Sequence, residues 1–476
     1  MSILNKKNTS KNKSQRNLST MGFALFFAWV LAIPFEGQVL YSFADNVKMD
    51  VINYNMIGIF IHFIALFMGG FFIKKQVMAK ITAIVSIIVC ICGSLIFFLP
   101  FSILWYISHF TISFFAGLVV CSWGFYYKEY SKRRERIKTA ADVLIISNIA
   151  MISCNVAAVN LSPFIGLILA IIYLSAALLI FFRLEAHSRK KSNYRLDSNK
   201  IEGSINSILR PLIFLCLFIL IITINSGIMY QVVVPEFSHL ELLSSYYWAV
   251  PYIIALLIVR NMPKKVNRAY VLYIALAMIG FSFIFFLLLD RSVMSYLIID
   301  TLMLGAFGVC DLFWWSILGG LFDYSNNPAK VLGIGLSMNV LGIFLGIILA
   351  NNISSFNSEY LNESVIALII VFIVIIILPI INYQLTKILK EHSYLVRFGY
   401  LKEGQQSSLI LDIFEDNNLT ERETEIVNLL LRGYTYKAIS DNLNISQNTT
   451  KFHIKNIYQK LNVNNKMELI KLFTEI

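Results

Sequence analysis

Charge is scarce in this sequence: Asp, Glu, Lys and Arg together make up 14% of its 476 residues, where soluble domains carry about a quarter. With 57% hydrophobic residues and a mean hydropathy of +0.69, that shortage excludes an ordinary soluble protein and places the chain in a membrane. Catalytic signatures are missing too. There is no glycine-rich phosphate loop, no H-E-x-x-H and no nucleophile elbow, so no enzyme chemistry is expected. The six cysteines, Cys90, Cys92, Cys121, Cys154, Cys216 and Cys310, all fall in apolar stretches. They read as small core residues rather than as disulfide partners or ligands, and neither a metal nor a cofactor is expected.

A spanning helix needs about 20 mostly apolar residues. Up to about residue 385 the chain divides into twelve such stretches, near 20–42, 53–73, 78–99, 102–127, 139–158, 161–182, 211–233, 244–260, 269–289, 292–320, 329–350 and 363–385. Eleven further spans come after the first, which is therefore not expected to be a cleaved signal. Of the 40 Lys and Arg, only Lys48 and Arg291 fall on one side of this alternation. The positive-inside rule then predicts a multi-pass protein of the cell (inner) membrane with both termini in the cytoplasm. A cytoplasmic segment, 1–19, precedes the bundle, and the longest cytoplasmic loop, about 183–210, splits the bundle of 20–385 into halves near 20–182 and 211–385. This layout resembles the major facilitator superfamily. So do Gly69, Gly70, Lys74 and Lys75, in the loop where that superfamily has a glycine and basic motif, although the acidic member of the motif is missing.

After Gln384 the composition turns polar. Residues 386–418 read as a linker, most flexible at Gly404, Gln405, Gln406, Ser407 and Ser408, and these 33 residues leave no room for a phospho-receiver domain. Residues 385–397 are expected to continue the last span as a helix that stops near Gly399. The remaining 419–476 read as a water-soluble domain. Thr420 and Glu423 form a capping box for a first helix with the buried stripe Ile426, Val427, Leu429, Leu430 and Leu431, closed by Gly433. A second helix, about 435–443, buries Ala438, Ile439 and Leu443. After a turn through Asn444 and Ile445, Ser446 caps a third, about 447–461.

On that third helix Thr450, Ile454, Ile457 and Leu461 share one face at 100° per residue. Asn448, Phe452, Lys455 and Gln459 share the opposite one, with Lys451 at its margin. Core packing does not call for the second set, whereas a DNA major groove does. Lys donates to guanine, Asn and Gln pair with adenine, and Phe touches a thymine methyl. Three lysines and no acid between Gln447 and Lys460 suit phosphates.

The domain resembles the LuxR/NarL-type helix-turn-helix regulators. Leu419 to Glu423 match their Leu-Thr-x-Arg-Glu opening, and Lys437, Ala438, Ile439 and Ser440 lie where the second helix usually has Lys-Glu-Ile-Ala. Ser446, Thr449, Lys451, His453, Asn456, Ile457, Lys460, Leu461 and Val463 match the recognition helix and the residues just beyond it, with Thr450 in place of the usual Val and Asn462 in place of the usual Gly. The resemblance implies that Lys451, Phe452 and Lys455 face base edges while Thr449 and Lys460 approach the backbone. It also implies a fourth helix, about 465–474 with Leu469, Ile470 and Phe473, that forms a dimer contact. The DNA-binding set expected from both lines of argument is Asn448, Thr449, Thr450, Lys451, Phe452, Lys455, Gln459 and Lys460, and the partner is double-stranded DNA bound by a homodimer.

Inside the bundle, Glu36, Asp300 and Asp311 are the ionisable groups at depth. Such residues either face an internal cavity with a functional role or sit protonated and hydrogen-bonded between helices. As candidate ligand-binding residues, unaccompanied by deep Lys or Arg, they favour a neutral or cationic small molecule. Pro34 beside Glu36 is a place for the first helix to break. His62 and His109 read as core histidines; Trp29, Trp105, Trp123, Trp314 and Trp315 read as packing or interfacial residues, with a pocket role open. Gly342 and Gly346 read as close helix packing. The expected fold is all-α: a twelve-transmembrane-helix bundle in two six-helix halves, followed by a four-helix LuxR-type domain. The expected function is a one-component transcription regulator that senses a small molecule in the lipid-embedded bundle. The alternative is a secondary transporter with an autoregulatory DNA-binding tail.

Overall fold

The computed structural model describes residues 2–472 apart from 36, 48–50, 133–134, 187–204, 264–267, 323–324, 326, 356–363, 378, 380–418, 432–433 and 435. The expectations for Glu36, Gly399, Gly433, Phe473 and the linker lie outside the described residues. Two compact units emerge, one of residues 1–188 and 214–378 and the other of 189–213 and 379–476.

The first unit is the bundle. In chain order its helices are α1 (Ser2–Ala32), α2 (Gln38–Val47), α3 (Val51–Phe72), α4 (Gln76–Leu95), α5 (Ile103–Tyr130), α6 (Arg136–Asn160) and α7 (Pro163–Arg183). Next come α8 (Ile205–Ile228), whose first residues fall in the second unit, α9 (Glu241–Tyr246), α10 (Ala249–Asn261), α11 (Arg268–Leu288), α12 (Val293–Leu321), α13 (Pro328–Ser355) and α14 (Ser364–Ile377). Among the described residues nine helices are long and apolar enough to cross a membrane, and α10 and α14 are shorter apolar helices. Among the described residues each of the twelve expected spans falls on helix, the first and the eighth on two helices each and the twelfth as far as Ile377. Large apolar side chains such as Leu179, Ile258, Ile274 and Phe372 are exposed on the outside, as a surface that meets lipid requires.

The first expected span is two helices. α1 ends at Ala32, a turn carries Pro34, and α2 starts at Gln38. Proline has no N–H to continue the ladder. A Cβ at Gly37 would lie 1.8 Å from the carbonyl oxygen of Ala32, so only glycine lets the chain turn back this closely. Gly342 and Gly346 do pack closely: Cβ atoms there would meet the α8 carbonyl oxygens of Leu220 and Ile224 at 2.5 and 2.2 Å.

At the end that holds the loops after α5 and α12, the two halves are tied together. Lys128 Nζ donates to the Ser325 carbonyl at 2.8 Å, and Arg136 Nη1 to the Gly319 carbonyl at 2.7 Å. Asn327 Nδ2 donates to the Gly70 carbonyl at 2.8 Å, and Arg260 pairs with Asp142 at 2.5 Å.

The second unit carries α15 (Glu421–Leu431), α16 (Tyr436–Leu443), α17 (Gln447–Lys460) and α18 (Lys466–Leu472). One core, from Leu419 through Ile426, Leu430, Ile439, Ile454 and Ile457 to Leu469, binds all four.

Candidate nucleic-acid interface and membrane cavity

The helix-turn-helix unit is built from its caps inward. Glu423 N–H donates to Thr420 Oγ1 at 3.2 Å and Thr420 N–H to Glu423 Oε2 at 2.8 Å, the reciprocal pair expected of a capping box. Arg422 donates to Glu425 at 2.7 Å and to the Leu443 carbonyl at 2.6 Å, joining α15 to the end of α16. The turn between α16 and α17 passes through Asn444 at φ 53°, and Asn462, just past α17, sits at φ 51°. Both are left-handed, which Asn tolerates better than most residues; a glycine at the second position suits the same backbone. Ser446 caps α17 by accepting the Thr449 N–H at 3.0 Å.

The predicted faces of α17 separate cleanly. Thr450, Ile454, Ile457 and Leu461 are buried, whereas Asn448, Thr449, Lys451, Lys455 and Gln459 are exposed and Phe452 is 62% exposed. Thr450 corrects the expected list: it is fully buried, with its hydroxyl on the Ser446 carbonyl at 3.1 Å, and does not reach the surface. Lys460 lies at the end of the helix with Nζ 2.7 Å from Glu423 Oε2. Burial works to raise the pKa of that carboxyl, but the Lys460 ammonium and the Thr420 N–H and hydroxyl outweigh it and hold the group below its ordinary value. In α18, Leu469 is fully buried in the core and so is turned away from any partner copy, while Leu472 is exposed. Sequence reasoning missed the cap of α18, in which Glu468 N–H donates to Asn465 Oδ1 at 3.0 Å while the N–H of the preceding Asn464 donates to Glu468 Oε2 at 2.8 Å. The Asn464, Asn465 and Glu468 spacing carries that signal.

Between the two halves of the bundle lies a cavity of about 840 Å³, within the usual size for small-molecule sites. It reaches from Leu66 and Trp315 to Gln38, Pro163 and Trp248, residues near the loops at the end opposite the Arg136 ties. Asp300 and Asp311 both line it; Glu36 is not among the described residues. Asp311 accepts the Tyr252 hydroxyl at 2.5 Å. Asp300 is only 9% exposed, and among the described residues its Oδ2 has no hydrogen-bond partner. Neither Lys nor Arg occurs among the described lining residues. Of the two histidines His62 lines the cavity, with Nδ1 2.9 Å from the Ser113 carbonyl, and His109 is buried against Tyr54. Trp29 and Trp123 are packing residues, bonded to Ser94 and Ser19, whereas Trp315 lines the cavity. Sequence reasoning missed Trp248, Tyr230 and Tyr252, which also line it; they stand on the second half at spacings that signal nothing without the first.

Residues 417–473 match the family model of bacterial regulatory proteins, luxR family. The chain is similar to the nitrate/nitrite response regulator protein NarP of Escherichia coli (38% identical over 76 residues, 16% of this chain and 34% of the relative). It is similar as well to the uncharacterized response regulatory protein YgeK of the same organism (46% over 56 residues, 12% and 38%) and to the regulator MalT of Vibrio campbellii (36% over 59 residues, 12% and 6%). The chain thus spans about a third of the length of NarP and of YgeK, and far less of MalT. The bundle is similar in fold to the human organic anion transporter MFSD10 (TM-score 0.55, 11% identity, 79% of this chain and 99% of that one). It is similar in the same way to the proton:xylose symporter XylE (0.57, 14%, 78% and 95%). The relatives named here are regulators, and the solved structures that share the fold of the bundle are transporters. The chain is a multi-pass membrane protein in which a bundle of the major facilitator fold is joined to a helix-turn-helix domain of the luxR type.

Proposed function

We propose that this protein is a one-component transcription regulator whose bundle senses a small molecule and whose helix-turn-helix domain binds operator DNA. The observation that carries the reading is the combination in one chain of an exposed Lys451, Phe452 and Lys455 face with a two-half bundle around a carboxylate-lined cavity. The domains fall at 20–385 and 419–476, joined by the linker 386–418. With both termini in the cytoplasm of the cell membrane, the Arg136 ties close the cytoplasmic end and the cavity is reached from outside. A ligand that fits the two states of the bundle unequally shifts their balance, and the linker passes the change to domains that pair on DNA as a homodimer through α18. Asn448, Lys451, Phe452, Lys455 and Gln459 meet the DNA, and Asp300 and Asp311 meet a neutral or cationic ligand.

The shared fold with transporters supports a second reading, a secondary transporter with an autoregulatory DNA-binding tail. Sequencing DNA crosslinked to the full-length protein in cells tests the first. Enrichment of a defined site, with occupancy that changes when a solute is supplied, is the expected result; absence of any enriched site refutes it. Solute uptake into vesicles that is unaffected by deleting 400–476 favours the transporter.

A further inference from the structure

Asp300 and Asp311 are eleven residues apart on α12. At 100° per residue that is three full turns and about 20°, so the two carboxylates share one helix face about 16 Å apart along the axis. Between them on that face Met303, Leu304 and Phe307 line the same cavity, an apolar wall separating two anionic stations. Aromatic rings attend both ends. Tyr296, one turn from Asp300, lines the cavity beside it, and Tyr252 and Trp315 do so at Asp311. Such faces attract cations.

The charges are uncompensated. Among the described residues lining the cavity there is no Lys or Arg, and the buried Oδ2 of Asp300 has no partner. Carboxylates at this depth are costly unless a positive charge meets them. A neutral ligand leaves both unmet and a monovalent cation leaves one. The spacing, not merely the sign, narrows the class. A saturated chain advances about 1.2 Å per bond, as the extended backbone does. Ammonium groups seated at or just inside the two stations are therefore separated by about eight to twelve carbons.

We propose that the cavity takes an elongated aliphatic dication, a saturated chain of that length with an ammonium group at each end, bridging Asp300 and Asp311. This deepens the sensor reading and rests on its assignment of the cavity as the ligand site.

The test is calorimetric titration of the purified full-length protein in lipid nanodiscs with α,ω-diaminoalkanes of four to fourteen carbons, 1-aminodecane, decane-1,10-diol and decanedioate. The expected result is an affinity optimum among the longer diamines, with 1-aminodecane about tenfold or more weaker than decane-1,10-diamine, the scale of losing one charge-assisted contact. The diol and the diacid should not bind detectably. Asp300→Asn and Asp311→Asn should each bring the diamine down toward the monoamine. The chain-length series on the unaltered protein stands even where a variant fails to fold. Equal binding of monoamine and diamine, no length optimum, or preference for the diol, as expected if both carboxylates stay protonated, overturns the proposal. A reporter separates the two readings. Diamine binding without a transcriptional response keeps the ligand class and counts against the sensor; a response to another solute with no diamine binding keeps the sensor and overturns the ligand class.

Discussion

Lys460, the last residue of α17, places its ammonium 2.7 Å from Oε2 of Glu423, the same oxygen that accepts the N–H of Thr420. One carboxylate therefore caps α15 and anchors the far end of α17. Glu423 is buried, while the Lys460 side chain is 35% exposed, so solvent moderates the ion pair and the cap supplies much of the effect. Replacing Glu423 with Ala should cost the domain about 1–3 kcal/mol, measured by urea unfolding of a 400–476 fragment. Lys460→Ala should cost about 1 kcal/mol and weaken binding to all DNA sequences alike.

The same pair fixes a pH response. The Glu423 carboxyl is held below its ordinary value in the folded domain. Its contribution is thus fully present above the unfolded pKa of about 4.3 and is lost as pH falls through the lower, folded value. Denaturant midpoints of the fragment should fall as pH drops from about 5 to 3, and Glu423→Gln should flatten that dependence. An identical slope in the two proteins would show that another carboxylate carries it.

Which lysines read bases is testable one residue at a time. Lys451→Ala or Lys455→Ala should each cost about 1–3 kcal/mol of specific binding and alter the preferred base at one position, read out by selection from a random DNA pool. Thr450→Val should leave both affinity and preference unchanged. Its side chain is buried, and the Ser446 carbonyl that it touches already accepts the Thr450 N–H at 3.0 Å.

Much of this arrangement was legible in the sequence, for reasons that differ by region. A bilayer admits few ways to bury twenty apolar residues, so the spans could be counted by length and charge alone. The helix-turn-helix faces arise from a fixed rotation per residue. Pairings across distance could not be read. Lys460 meets an acid 37 residues earlier, and Asp311 meets Tyr252, 59 residues before it, on a neighbouring helix. No local pattern encodes either. Pro34 marked the break in the first span, but the need for Gly37 arises only when the chain folds back over Ala32.

Because, among the described residues, the core that binds α15 to α18 runs from Leu419 to Leu469, the 400–476 fragment should fold without the bundle. Eight Lys and Arg against six Asp and Glu between 419 and 476 give it little net charge, so its DNA binding should be weak as a monomer. It should also fall with salt, through the few placed lysines. Circular dichroism and fluorescence anisotropy at several salt concentrations check both points. A folded fragment with no salt-sensitive binding removes the main support for a regulator.

Gly37→Ala should prevent the turn between α1 and α2. The added carbon would fall 1.8 Å from the Ala32 oxygen, backbone rather than a movable side chain. The chain must then shift around the cavity residue Gln38. Loss of monodisperse, detergent-extracted protein, compared with a conservative change at exposed Ile81, is the expected outcome.

Coupling between bundle and DNA-binding domain sets the last test. The 33 residues from 386 to 418 reach at most about 110 Å when fully extended, but as a flexible coil they span only roughly 30 Å. A slack tether cannot transmit the state of the bundle, so the sensor reading requires a stiff part, for which the stretch up to Gly399 is suited by Tyr394, Leu395, Val396 and Phe398, apolar groups able to dock on lipid or protein. Ten flexible Gly and Ser residues inserted after Gly399 should leave DNA binding intact and abolish the ligand response of a reporter gene, because neither site is touched and only their coupling is cut. A reporter that still responds fully would instead show that the signal travels by association of whole bundles, with the linker serving only as a leash.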